Sequence, residues 1–158
     1  MLKTVLYTLL LLSSWAATPA AAVTFDLRLD RLAEAIGILP DGDRKAVEEI
    51  IQLIKRGENT DAYQRLSELN KVNPSNSSLR VLTSYALLQL GNAIGALEEA
   101  DKAHDAPNGN SYKCLFYAKI AFLNGQTDAC KRELGHARKA GDLPKEVKAL
   151  EKEMKGKS

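Results

Sequence analysis

The chain is sparing with reactive side chains: among 158 residues it has two histidines, His104 and His136, and two cysteines, Cys114 and Cys130. Each histidine stands alone among Lys, Asp and Gly near the end of a helical pattern. A metal centre needs three or four convergent ligands, so none is expected, and both histidines read as surface residues at helix ends. There is no G-x-S-x-G, no H-E-x-x-H, no phosphate-cradling glycine loop and no EF-hand spacing. The paired acids Glu48-Glu49 and Glu98-Glu99 are adjacent, which points their carboxylates to different sides of a helix and keeps them from sharing a substrate. Glu98 and Lys102 have the spacing of an ordinary surface ion pair. The reading is a protein that is not an enzyme and has no cofactor.

An excess of one charge is missing too. Lys and Arg number 22 against 20 Asp and Glu, and loss of Lys3 with a leader would bring the chain closer still to neutrality. The densest basic stretch, Lys145 to Lys157, is interleaved with Glu146, Glu151 and Glu153. Without a clustered basic surface, nucleic acid and anionic membranes are not expected partners.

The chain also lacks an apolar run of the roughly 20 residues needed to cross a bilayer. The run from Val5 to Trp15 is shorter, follows Lys3, and is succeeded by the small residues of Ala16 to Ala22. That order is the pattern of a cleavable secretory signal over 1–22, cut after Ala20-Ala21-Ala22 to leave Val23. The expected location is the periplasm or the exterior, with no stable membrane insertion after cleavage. Asn76-Ser77-Ser78 is a formal glycosylation sequon, relevant in a eukaryotic source.

What is present is periodic. Gly57, Gly91 and Gly125 fall 34 residues apart, each followed five residues later by a small side chain, Ala62, Ala96 or Cys130. Turn clusters at Asn73-Pro74-Ser75-Asn76, at 105–110 and at Gly141-Asp142-Leu143-Pro144 punctuate the same frame, and Pro40 precedes Pro74 by one period. Between them the apolar residues recur at helical spacing, as in Ala46, Ile50, Leu53 and Ile54, or Leu82, Ala86 and Leu90. The second helices do likewise with Ala62, Leu66 and Leu69, then Ala96, Ala100 and Ala103, then Cys130, Leu134 and Ala137. Small residues at those points let paired helix axes approach closely.

Residues 43–144 therefore divide into three helix-turn-helix units, 43–76, 77–110 and 111–144. The segment 23–42 places Phe25, Leu29, Leu32 and Ile36 on one helical stripe, with Leu32 and Ala35 in the phase of Leu66 and Leu69, and reads as a half-repeat cap. Residues 145–158 follow Pro144 as a capping helix, with Val147, Leu150 and Met154 on a narrow apolar stripe.

The pattern resembles the tetratricopeptide repeat, W-x2-L-G-x2-Y, then A-x3-F, then P. The resemblance rests on Gly57, Ala62, Leu66 and Pro74, on Gly91 and Ala96, and on Ala118, Gly125, Leu134 and Ala137. The family's Trp is replaced by Ala46, Arg80 and Cys114, and its Tyr by Leu53, Leu87 and Ala121. The resemblance implies an all-α solenoid of exported bacterial type whose first helices line a concave groove for a protein or peptide partner. Carried over by phase, that lining is Val47, Ile51, Ile54 and Lys55, then Val81, Tyr85, Leu88 and Gln89, then Leu115, Lys119, Phe122 and Leu123. It is mostly apolar and suits an amphipathic helix or apolar peptide, with Tyr85 and Phe122 as anchors. Members that clamp a C-terminal carboxylate use Lys, Asn and Arg where this chain has Val47, Ile51, Leu82, Tyr112 and Phe116, so that specificity is not expected. An adaptor in envelope assembly or maturation is the implied role. Self-coverage of the groove, a self-assembling homo-oligomer and a thiol redox factor stay open beside it.

The two cysteines lie in the two helices of the third unit, 16 residues apart across Gly125. Antiparallel pairing sets Cys114 nearest Leu134, with Cys130 about one turn away, near the limit of disulfide geometry. An oxidising compartment favours a disulfide; two buried thiols, or a reactive or metal-binding pair, are the alternatives.

Overall fold

The computed structural model describes residues 27–106 and 110–156. Residues 1–22, expected from sequence to be a signal, and Phe25 lie outside them. Among the described residues the chain is entirely helical, with no strand. A 3-10 turn, Leu29–Arg31, leads into α1 (Ala33–Gly37), followed by α2 (Asp41–Lys55), α3 (Asn59–Val72), α4 (Ser77–Gln89), α5 (Ala93–Asp105), α6 (Ser111–Leu123), α7 (Thr127–Ala140) and α8 (Pro144–Gly156). No helix among the described residues is long and apolar enough to cross a membrane.

The 34-residue period is visible in the backbone. Helices α2, α4 and α6 end at Lys55, Gln89 and Leu123, and α3, α5 and α7 begin at Asn59, Ala93 and Thr127. Each turn between them is built the same way. Gly57, Gly91 and Gly125 hold φ of 77°, 79° and 73°, the left-handed region that a side chain resists. The next residue reaches back five positions to close the helix end: Glu58 to Leu53, Asn92 to Leu87, Gln126 to Ala121, each at 2.9 Å from backbone N to O. Five residues beyond each glycine, Ala62, Ala96 and Cys130 are fully buried, where paired helices approach.

Consecutive helices from α2 to α7 are packing neighbours, α4 also touches α6, and α8 rests on α6 and α7. The result is a helical, repeat-like all-α fold. α4 and α6 bury most of their residues, among them Leu79, Leu82, Phe116 and Ile120. The outer helices bury one stripe each: Val47, Ile50 and Leu53 on α2, Ala96, Ala100 and Ala103 on α5.

The N-terminal segment is a 3-10 turn and a five-residue helix rather than one continuous amphipathic helix. It still serves as a cover, because Leu32, Ala35 and Leu39 are buried and α1 packs on α4. Its free carbonyls are taken up by the repeat: Ser78 Oγ donates to Leu32 O at 2.8 Å, Asn110 Nδ2 to Arg31 O at 2.7 Å, and Asn76 Nδ2 to Ala35 O. Asn76 is 4% exposed, and its side-chain oxygen also accepts from Ser78 N and Leu79 N to cap α4. The sequon asparagine is therefore an interior cap.

Candidate functional site

The third hairpin and the end of α5 bring together side chains that are far apart in sequence. On α7, Glu133 and His136 are three residues apart and share a face. Cys114 stands in the first turn of α6 and His104 in the last turn of α5. Ligand atoms of His104, Cys114, Glu133 and His136 all lie within 4.8 Å of one another. The histidines read as isolated surface residues are thus one cluster, with rings stacked at 6.4 Å and 15°.

Glu133 is the centre of this cluster. It is 1% exposed, a position at which a carboxylate is stable only with close electropositive partners. Arg132 Nε donates to its Oε1 at 2.7 Å. Its Oε2 faces two ring nitrogens, His104 Nε2 at 2.8 Å and His136 Nδ1 at 3.1 Å. The other nitrogen of His104, Nδ1, lies 3.1 Å from Asp105 Oδ1, and the Tyr117 ring flanks the imidazole at 5.7 Å. Burial, reinforced by the negative charge of Glu133, pushes the Cys114 thiol up from its ordinary range.

The two cysteines are free thiols and do not form the expected bridge. Each faces a different neighbour: Cys114 joins the histidine cluster, while the fully buried Cys130 sets its Sγ 3.5 Å from Met154 Sδ of α8. The hairpin register accounts for this. It puts Cys114 beside Glu133, while Cys130 lies against Met154 of α8.

The twelve residues carried over as groove lining do not form one open surface. Val47, Val81, Leu88 and Leu115 are buried in the core. Val81 lies under the N-terminal segment, in a crevice it shares with Leu32, Ala35 and Tyr112. Lys119 is almost covered and pairs with Glu153 of α8. Ile51, Ile54, Tyr85 and Phe122 are half-buried against the core. Coverage of the groove by a flanking segment, left open in the sequence, is what Val81 meets, while α8 takes up Lys119.

Phe122 borders an open groove, of about 620 Å3, between the end of α6, α7 and α8. Leu134 and Met154 contribute its apolar wall; Lys131, Arg138, Lys155 and Glu151 form a mainly cationic rim, in which Arg138 and Glu151 are paired. This groove could be read from sequence only in part, since Phe122 follows from phase whereas the α8 wall depends on how that helix docks.

Compared with family models, curated proteins and solved structures, the chain matches none of them.

Proposed function

We propose that the chain is an exported, periplasmic helical-repeat protein of the tetratricopeptide type that holds an apolar or amphipathic segment of another protein. The observation that carries this reading is the groove beside Phe122, an aromatic side chain and two apolar neighbours presented within a charged rim. Apolar anchors of a partner gain by leaving water, on the order of 1.5–3 kcal/mol for each large side chain fully buried. The surplus of Lys131, Arg138 and Lys155 over Glu151 favours a segment whose flanks are acidic. Tyr85, half-buried on α4, is the second anchor on the same series of first helices. The leader pattern over 1–22 supports export, and the repeat period supports the family assignment.

Two measurements test this. N-terminal sequencing of the protein from its native host should begin at Val23; a chain still beginning at Met1 would remove export from the reading. A photo-crosslinking side chain placed at Phe122 should give one discrete adduct with another protein, and the same probe at the exposed Ile94 should give none. Equal adducts at both positions, or none at either, would overturn the groove. An adduct with a second copy of the chain would replace partner binding by self-assembly.

A further inference from the structure

We propose that His104, Cys114, Glu133 and His136 form a binding site for a divalent transition metal of zinc character, built at the junction of α5, α6 and α7. The first ground is the ligand set. Two imidazoles, a thiol and a carboxylate are donors that zinc accepts together in a four-coordinate site. Zinc bonds of about 2.0–2.3 Å hold tetrahedral ligand atoms about 3.3–3.8 Å apart. The four ligand atoms here lie within 4.8 Å of one another, and two of the separations are already 2.8 and 3.1 Å, so closure takes side-chain movement of about 1 Å.

The second ground is an imbalance of donors and acceptors. His104 turns both ring nitrogens toward carboxylates, Nδ1 to Asp105 and Nε2 to Glu133. A neutral imidazole has a single N–H, so one of these contacts sets a lone pair against an anionic oxygen. A cation shared by Nε2 and the Glu133 oxygen would remove that conflict, and the thiol within reach and the second imidazole on the same oxygen complete a donor set for it. With a metal at Nε2, Asp105 becomes the outer carboxylate that orients a ligating histidine through its other nitrogen.

The third ground is placement. Glu133 is 1% exposed, Cys114 and His104 are half-buried, and His136 is open to solvent along one side. The cluster thus has an entry side and an interior anchor. It is separate from the Phe122 groove, in whose lining none of the four takes part, so its success or failure leaves the partner-binding reading untouched.

The test uses the mature full-length chain, stripped with chelator and titrated with Co2+ and then Zn2+. The expected result is one equivalent of Co2+ with the intense visible absorption of four-coordination and a thiolate-to-cobalt charge-transfer band, both erased by one equivalent of Zn2+. Cys114→Ser should remove the charge-transfer band, and His136→Gln, at a solvent-facing position, should weaken binding at least tenfold with helicity unchanged by circular dichroism. Asp105→Asn should weaken it about 10–100-fold, the usual effect of losing an outer partner. Absence of stoichiometric binding would overturn the site. Bands that persist in Cys114→Ser with affinity unchanged in His136→Gln would place the metal elsewhere and overturn it equally.

Discussion

At the scale of single residues, burial changes what a side chain can do. Tyr112 is 2% exposed and its hydroxyl accepts from Arg28 N at 3.1 Å. Burial pushes its ionisation from an ordinary 10 up to about 12. Below pH 10 the phenol is protonated in both folded and unfolded chains. Between 10 and about 12 only the unfolded chain loses the proton, so stability should fall by about 2–3 kcal/mol and then level off. Urea midpoints taken across this range should fall less steeply in Tyr112→Phe than in the parent; parallel curves would contradict the assignment. The glycines divide in the same way by local geometry. At Gly125, φ is 73° with open space around the missing Cβ, so Gly125→Ala should cost about 1–2 kcal/mol through the backbone alone. Gly135 lies within α7 with equal space and no such φ, and Gly135→Ala should stabilise by about 0.5–1 kcal/mol. Opposite signs in chemical denaturation are the expected outcome. The turn glycines were legible in sequence because their period repeats. The histidine cluster was not, because His104, Cys114 and Glu133 come from three helices, and only the packing of α5 and α7 against α6 brings them into contact.

At the scale of elements, the repeat also governs how helices begin. Asn76 and Asn110 stand one 34-residue period apart as the N-caps of α4 and α6. Each uses its side-chain oxygen on the helix and its amide nitrogen on the N-terminal segment: Asn76 on Ala35 O, Asn110 on Arg31 O. A cap alone is worth about 0.5–2 kcal/mol, and a buried hydrogen bond lost with it adds about 1 kcal/mol or more. Asn76→Ala should therefore cost about 2–3 kcal/mol, and Asn110→Ala, which is less buried, about 1–2 kcal/mol. Hydrogen exchange should quicken in both variants over 29–37 before it does so in α2 or α3; uniform quickening would mean the segment is not separately held. Helix periodicity and the 34-residue spacing revealed the elements α2 to α7 well, since pattern, glycine turns and caps agree. The N-terminal segment was legible as a cover but not as a broken helix. Its apolar stripe at Leu32 and Ala35 has helical spacing, yet contacts with Ser78, Asn76 and Asn110 hold its carbonyls in place of a longer helix.

At the scale of the whole molecule, the two ends of the repeat are tied together. Arg31 pairs with Asp142 at 3.0 Å, Arg28 with Glu146 of α8, and Ser111 at the start of α6 also bonds to Asp142. In an open array each unit touches only its neighbours and can unfold separately. Here segment 28–37 and α8 meet beside α6, so both covers close over the central helices. They differ in strength. α8 rests on α6 and α7 mainly through Val147 and Leu150, both nearly buried, and through Met154 against Cys130. Its exposed face carries charges with little packing, and partly exposed ion pairs such as Arg138 with Glu151 add little. The weakest cooperative unit should therefore be α8, and Cys130 beneath it is a built-in reporter. That thiol is fully buried and burial holds its ionisation above the ordinary range, so it should resist alkylation at neutral pH. Leu150→Ala removes about 2–4 kcal/mol from the contact beneath α8. Alkylation of Cys130 should then accelerate at least tenfold in urea concentrations where far-ultraviolet circular dichroism still reports native helix. If labelling instead rises only with the main unfolding transition, the ties at Arg28, Arg31 and Ser111 join α8 to the core, and the molecule unfolds as one unit.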